Sequence, residues 1–226
     1  MLQFVTGRAG TGKTHYIREM MSELSKKDKG GLIIIVPEQY TFASEKAILD
    51  MAGPVYSDKI QVLSFTRLAE KVFRREGGIS GKVLSEGGRR MMLQMAITDC
   101  RDELDVYQKA ARSDRITDLM MSALNELKLC GRSSDDMRGI TPPEKGLSQK
   151  LKEIALIYDA YEALLHGVYL DSRDALTRLD HVLEGSSFFS GNIVAVDSFD
   201  GFTAQETKIL KHIMCSAEDL IVALCT

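Results

Sequence analysis

Apolar residues along this chain recur with two spacings. LQFVT (2–6), LIIIV (32–36), IQVLSF (60–65), IVAV (193–196) and LIVAL (220–224) are short runs rich in Val, Ile and Leu. LIIIV, apolar on consecutive positions, predicts a strand covered on both faces, LQFVT reads as a buried strand, and the other runs read as strands. Pro37 ends the second run. Between the runs the spacing becomes helical. Tyr16, Ile17, Met20, Met21 and Leu24 mark one amphipathic helix, Thr66 to Arg75 forms another, and a third separates the last two runs. Strands alternating with helices predict a parallel α/β sheet.

The middle of the chain differs. Between Ser85 and Glu184 no run reads as a strand. Ile116, Met120, Ala123 and Leu127 share one helical face, and Leu147, Leu151, Ile154, Tyr158, Tyr161 and Leu165 share another. Pro142 and Pro143 separate the two helices, because proline cannot sit inside a helix without removing a hydrogen bond. The expected organisation is a sheet domain in two parts, 1–84 and 187–226, interrupted by an all-helical insertion at 85–186. KKDKGG (26–31) is a polar turn and GSSFFSGN (185–192) a return linker.

Composition narrows the function classes. The 226 residues are 44% hydrophobic, enough for a substantial core, and 29 basic against 32 acidic side chains leave a net charge of −3. Bulk charge therefore supplies no attraction to nucleic acid, and any such contact must come from a local patch. Cys100, Cys130, Cys215 and Cys225 form no CxxC pair, and the four histidines are scattered. That pattern argues against a zinc site or disulfide framework and fits a reducing, cytoplasmic setting. No apolar run approaches the ~20 residues of a membrane span, so no membrane association is expected.

The sharpest motif lies between the first strand and the first helix. Gly7-Arg8-Ala9-Gly10-Thr11-Gly12-Lys13-Thr14 matches GxxxxGK[ST]. Glycines let the backbone wrap a phosphate with successive N–H groups pointing inward. Lys13 supplies a point charge for the β- and γ-phosphates, the Thr14 hydroxyl can ligate Mg²⁺, and the helix adds its positive end. The motif implies ATP and Mg²⁺ as ligands.

A phosphate-loop fold also needs a strand ending in an acid that holds Mg²⁺. Asp197, at the end of the apolar run in IVAVDSFDG, is the candidate, and a turn-capping aspartate is the alternative. The neighbour is Ser198, whose hydroxyl is no useful base near neutral pH. Asp200 is nearby, and Thr203-Ala204-Gln205-Glu206 reads as a capping box that assigns Glu206 a structural task.

Taken in order, GRAGTGKT, IIIVPEQYTFASE, VLSFTRLA and VDSFDGFT resemble the N-terminal part of the AddB/RexB family, the B subunit of bacterial ATP-dependent helicase/deoxyribonucleases, itself related to UvrD-like superfamily-1 helicases. The resemblance implies a RecA-like phosphate-loop domain with a 1B-like helical insertion. It implies drifted helicase motifs with weak or absent ATPase in this segment. It further implies an A-type helicase–nuclease subunit as partner, DNA as substrate (a single strand or a duplex end), and a role in double-strand-break repair by recombination. The family's nuclease domain and iron–sulfur cluster are expected in a C-terminal part outside these 226 residues, which reads the chain as a truncated fragment. Two departures stand out. Only Met1 precedes the first strand, where UvrD-like helicases carry an adenine-reading glutamine, and the arginine motifs of a second motor domain are not within the chain.

By the same resemblance Ser64, Thr66 and Arg67 occupy the helicase segment that approaches single-stranded DNA. Hydroxyls and a guanidinium at a helix start suit a phosphate contact, and equally a helix cap with a solvated arginine. Lys71, Arg74 and Arg75 extend that face, and Gln39 and Tyr40 follow the second strand. Competing readings are a stand-alone phosphate-loop kinase or NTPase, with Glu38 as an acid, and a structural partner with a vestigial loop.

Overall fold

The computed structural model describes residues 1–27, 31–78 and 81–226; residues 28–30 of the expected polar turn lie outside the described residues. The chain opens with β1 (Leu2–Gly7), α1 (Lys13–Lys26), β2 (Leu32–Ile35), α2 (Thr41–Ala52), α3 (Pro54–Ser57), β3 (Ile60–Leu63) and α4 (Phe65–Glu76). A helical stretch follows: β4 (Lys82–Val83), α5 (Glu86–Asp99), α6 (Asp114–Leu129), α7 (Ser134–Arg138), α8 (Lys145–Leu165) and β5 (Tyr169–Leu170). The chain then runs through α9 (Ala175–Leu183), β6 (Ile193–Val196), α10 (Ala204–Ser216) and β7 (Asp219–Cys225).

Five strands form one parallel sheet in the order β1-β7-β6-β2-β3. Side chains alternate between its faces, which explains the consecutive apolar runs. Ile33, Ile35, Val194, Val196, Leu220 and Val222 meet α4, α9 and α10 on one face. Leu32, Ile34, Val36, Ile193, Ala195 and Ile221 meet Ile17 and Met21 of α1 and Ile48 of α2 on the other. This is the expected α/β architecture of RecA-like kind, a parallel sheet flanked by helices.

One strand departs from expectation. β1 is an edge strand, with Leu2 39% and Phe4 58% exposed. An apolar run signals a strand, but periodicity does not report where in the sheet that strand lies.

The chain divides into two compact units. One comprises Met1–Gly78 and Leu176–Thr226, the other Ile79–Ala175. The junctions lie 6 and 11 residues before the expected 84/85 and 186/187. On the return side the reason is visible. Leu179 and Leu183 of α9 are buried in the sheet unit's core. So are Phe188 and Phe189 of the expected linker, which is therefore turn-rich but anchored.

The helical unit contains a strand pair that its sequence did not signal. Lys82–Val83 pairs in parallel with Tyr169–Leu170, a ladder too short to carry a period. Its core joins Leu93, Ala96 and Ile97 of α5, Ile116, Met120 and Leu124 of α6, and Ile157, Tyr158, Tyr161 and Leu165 of α8. Among the described residues of this unit, the cations Arg89 and Lys128 and the acids Glu153 and Asp171 are buried. Arg89 is fully buried, and its Nε is 2.7 Å from Asp171 Oδ1. Lys128, 3% exposed, places Nζ 2.7 Å from Glu162, 2.7 Å from Asp174 and 3.1 Å from Asp171. Tyr161 donates its hydroxyl to Asp171 at 2.8 Å. Burial opposes the charge on Lys128, but the three carboxylates outweigh it and hold its pKa above the usual value. Burial pushes the neighbouring Tyr158 hydroxyl up to about 12. Among the described residues no helix is long and apolar enough to cross a membrane.

Candidate functional site

Loop 7–14 joins β1 to α1, and its conformation depends on glycine. Gly10 and Gly12 have φ of 79° and 91°, a left-handed region that side chains avoid. A Cβ on Gly7 would lie 2.6 Å from Thr11 Oγ1. Gly12 caps α1 without a side-chain hydrogen bond, so the first-turn N–H groups are not occupied by a capping side chain. Lys13 donates from Nζ to the carbonyls of Gly7 at 2.6 Å and Arg8 at 2.9 Å. Thr11 Oγ1 donates to Arg8 O at 2.9 Å. The loop is thus a closed ring with the ammonium on its rim. Such a ring fits a phosphate group: backbone donors, one cation and no Cβ in the way. Arg8 and Ala9 are exposed on its outer turn.

The strand order brings further residues to this ring. A cleft of about 520 Å³ is lined by Ala9, Gly10, Lys13 and Thr14 from the loop, by Pro37, Gln39 and Tyr40 after β2, and by Asp197 to Gly201 after β6. Ala223 and Cys225 of β7 complete it. All these segments lie at or beyond the carboxyl ends of parallel strands, the usual ligand crevice of an open α/β sheet.

Asp197 is 4% exposed, and its N–H donates to Ile35 O at 3.0 Å. Its carboxylate accepts the Ser198 hydroxyl at 3.1 Å. Ser198 has φ of 67°, a left-handed conformation for a residue with a side chain. The loop is pinned just beyond, where Phe199 packs edge-on against Phe65 at 5.5 Å and tilted against Phe202 at 5.2 Å. Asp200 also faces the cleft. Thr203 and Glu206 form the expected reciprocal capping box of α10. Among the described residues no three His, Cys, Asp or Glu side chains gather into a metal site. A magnesium ion carried by phosphates needs fewer protein ligands, and Thr14 and Asp197 are oxygen donors present in the cleft.

The other candidate group lies at the start of α4. Ser64 is buried and caps α4, accepting the Arg67 N–H at 3.2 Å. It also donates to the Glu38 carboxylate. Arg67 places Nε 3.6 Å from Glu38 and a terminal nitrogen 3.0 Å from Glu45. Glu38 is thereby engaged with α4 and does not line the cleft that holds Lys13 and Asp197. Thr66 is exposed. Arg67, Lys71 and Arg74 line a groove of about 460 Å³ with Leu63 and Glu70. Burial and then Arg74 push the Lys71 ammonium down from its usual value. Arg75 instead lies over the Phe188 ring at 5.4 Å.

The family model described as ADDB, N-terminal matches residues 4–226. The chain belongs to this family. Among curated relatives, the ATP-dependent helicase/deoxyribonuclease B subunit of Thermoanaerobacter sp. (strain X514) is 34% identical over 226 residues, covering 99% of this chain and 20% of the relative. The proteins of the same name from Ruminiclostridium cellulolyticum and Clostridioides difficile (strain 630) are 32% and 34% identical over 229 residues. The chain spans about a fifth of the length of these relatives. Within the AddB N-terminal family frame, sequence reasoning singled out the loop and Asp197 as partners. It did not place Gln39, Tyr40, Ala223 and Cys225 beside them, because no local signal says that β2 and β7 flank β6.

Proposed function

We propose that this chain is the N-terminal helicase-like module of a helicase–nuclease B subunit, which holds Mg-ATP in the cleft and hydrolyses it weakly or not at all. The observation that carries the reading is the cleft shared by the loop at 7–14 and Asp197. In it Lys13 and the loop N–H groups bind the phosphates, while Thr14 and Asp197 hold the metal. Beside the metal-holding acid stands Ser198, which orients no water by proton abstraction. Among the described residues no arginine lines the cleft, and a transition-state arginine is worth about 10³–10⁵ in rate in related phosphoryl-transfer systems. The relatives' printed name supports a partner subunit and DNA as the polymer acted upon. The partner is of the A type, and the work is double-strand-break repair by recombination in the cytoplasm. Ser64, Thr66 and Arg67 give the module its DNA-facing edge, with Ser64 shaping the turn and Arg67 meeting phosphate. The engagement of Glu38 with Ser64 and Arg67 weighs against a small-molecule kinase that uses it as base.

The test pairs binding with turnover. Mg-ATP should bind the chain, and Lys13→Ala should weaken binding about ten- to hundredfold with little change in melting temperature, as expected when a charge-assisted contact is lost. Steady-state ATPase should stay near background with or without single-stranded DNA, and in Ser198→Glu as well. DNA-stimulated turnover that vanishes in Lys13→Ala would overturn the holding role.

A further inference from the structure

The two edges of the five-stranded sheet are finished differently. At the β3 edge, Ile60 and Val62 are buried with Ile48 of α2, and Lys71 of α4 reaches Gln61. At the other edge β1 pairs, among the described residues, with β7 alone. The Leu220 N–H donates to Met1 O at 2.8 Å and the Thr226 N–H to Gly7 O at 3.3 Å. A parallel ladder engages alternate residues of a strand, so Met1, Gln3, Val5 and Gly7 face β7. The backbone N–H and C=O groups of Leu2, Phe4 and Thr6 therefore point away from the sheet. Charge, proline or a bulge ordinarily blunts such an edge. LQFVTG carries no charge and no proline, and its register with β7 runs unbroken from Leu2 to Gly7.

The side chains of β1 are bare on one particular face. Leu2 and Phe4 are in register with Leu220 and Val222, so they project to the face that α4, α9 and α10 cover. On the opposite face Val5 packs beside the core that holds Ile17 and Met21 of α1. The connections explain why this face matters. From β6 through α10 to β7 the chain steps toward the β1 edge, with α10 on the Leu2 and Phe4 face. From β1 through α1 to β2 it steps the other way, with α1 on the other face. The two crossovers thus have one hand, as parallel connections do. A further crossover that added a strand outside β1 would have to carry its helix over the α10 face, where Leu2 and Phe4 are exposed. We infer that β1 is an interior strand of the intact B subunit. A segment of the same polypeptide outside these 226 residues lays a sixth parallel strand along Leu2–Gly7, and the helix leading into that strand covers Leu2 and Phe4. The chain spans about a fifth of the length of its relatives, and its family model is described as N-terminal, so the relatives have ample polypeptide for this. The inference is independent of whether the cleft holds nucleotide.

Hydrogen exchange read residue by residue, on the 226-residue chain and on the intact B subunit, tests this. The Phe4 and Thr6 N–H groups should exchange at least about a hundredfold more slowly in the intact protein, as expected when an exposed backbone group enters a ladder. The Gln3 and Val5 N–H groups, which face β7, should be protected in both and serve as internal controls. Equal exchange of Phe4 and Thr6 in the two proteins would overturn the sixth strand. Protection that develops in the 226-residue chain as its concentration rises would assign the edge to a second copy, and protection that needs an added A-type subunit would assign it to that partner; either overturns the inference. Phe4→Lys tests the covering helix separately. At a position 58% exposed, it should leave the melting temperature of the 226-residue chain unchanged and lower that of the intact protein by several degrees. The same change in both proteins would overturn the helix over Phe4.

Discussion

Two lysines, Lys13 and Lys128, show how differently the two units use charge. Lys13 stands on the rim of an open cleft, where its partners are two carbonyls of its own loop, weak enough to be exchanged for an anion. Lys128 is sealed inside the helical unit against Glu162, Asp171 and Asp174. The same contrast separates Arg67, half exposed beside two surface carboxylates, from Arg89, fully buried on Asp171. In the sheet unit, polar groups gather where the strands end and loops open to solvent. In the helical unit they are neutralised internally. A charge satisfied by buried partners fixes packing, and a charge facing a cleft remains available to a ligand.

The contrast breaks most readily at Asp171. Burial pushes its carboxyl up, but Lys128, the Arg173 N–H, Arg89 and Tyr161 outweigh it and hold the pKa below the usual range. Asp171→Ala leaves two buried cations short of a partner, and about 3–5 kcal/mol of unfolding free energy should be lost in urea titration. Mg-ATP affinity below the unfolding transition should not change. A loss under about 1 kcal/mol would mean that water already reaches the cluster.

Glu153 sharpens the comparison at smaller scale. Its carboxylate accepts the N–H groups of Asp105, Val106 and Tyr107 at 2.9–3.0 Å and so shapes the loop after α5. Burial raises its pKa, and these N–H groups with Gln149 outweigh that and lower it. A depressed folded-state pKa stabilises the fold above the unfolded value of about 4.3, and that stability disappears as pH falls through the folded value. Glu153→Gln should cost about 1–3 kcal/mol at pH 7, and the gap from wild type should close as pH drops below about 4. A gap independent of pH would assign the effect to packing.

The smallest effects belong to the start of α4. Ser64→Ala should cost about 0.5–2 kcal/mol, the usual range for a lost helix cap. Arg67→Ala should leave the fold intact and reduce the salt slope of single-stranded DNA binding by about one. An unchanged slope would leave Arg67 as the surface partner of Glu38 and Glu45.

The helical insertion was visible as a change of period, yet its buried charges were not. Arg89 beside Arg90 is uninformative in sequence alone. In the structure one is sealed and the other pairs with Asp114 and Asp118 at the surface. Periodicity marks apolar faces, and a buried lysine such as Lys128 reads as a break in such a face until its partners are known. The return segment misled for the opposite reason: Gly and Ser dominate 185–192, while Phe188 and Phe189 inside it carry the burial.

By itself the sequence determined what depends on neighbours along the chain. The five strand segments follow from runs of Val, Ile and Leu. The phosphate ring follows from Gly7, Gly10 and Gly12, whose tight contacts or positive φ reject larger residues. The cap of α10 follows from Thr203 and Glu206 at capping-box spacing. Tertiary structure alone decided what depends on order in space. It put β1 at an edge, laid β7 between β1 and β6, and so carried Asp197 and Tyr40 to the ring that holds Lys13. It also set Ala47 and Met51 of α2 against the far wall of that ring. Strand order follows from how separate apolar faces are buried together, and no local pattern of residues encodes that choice.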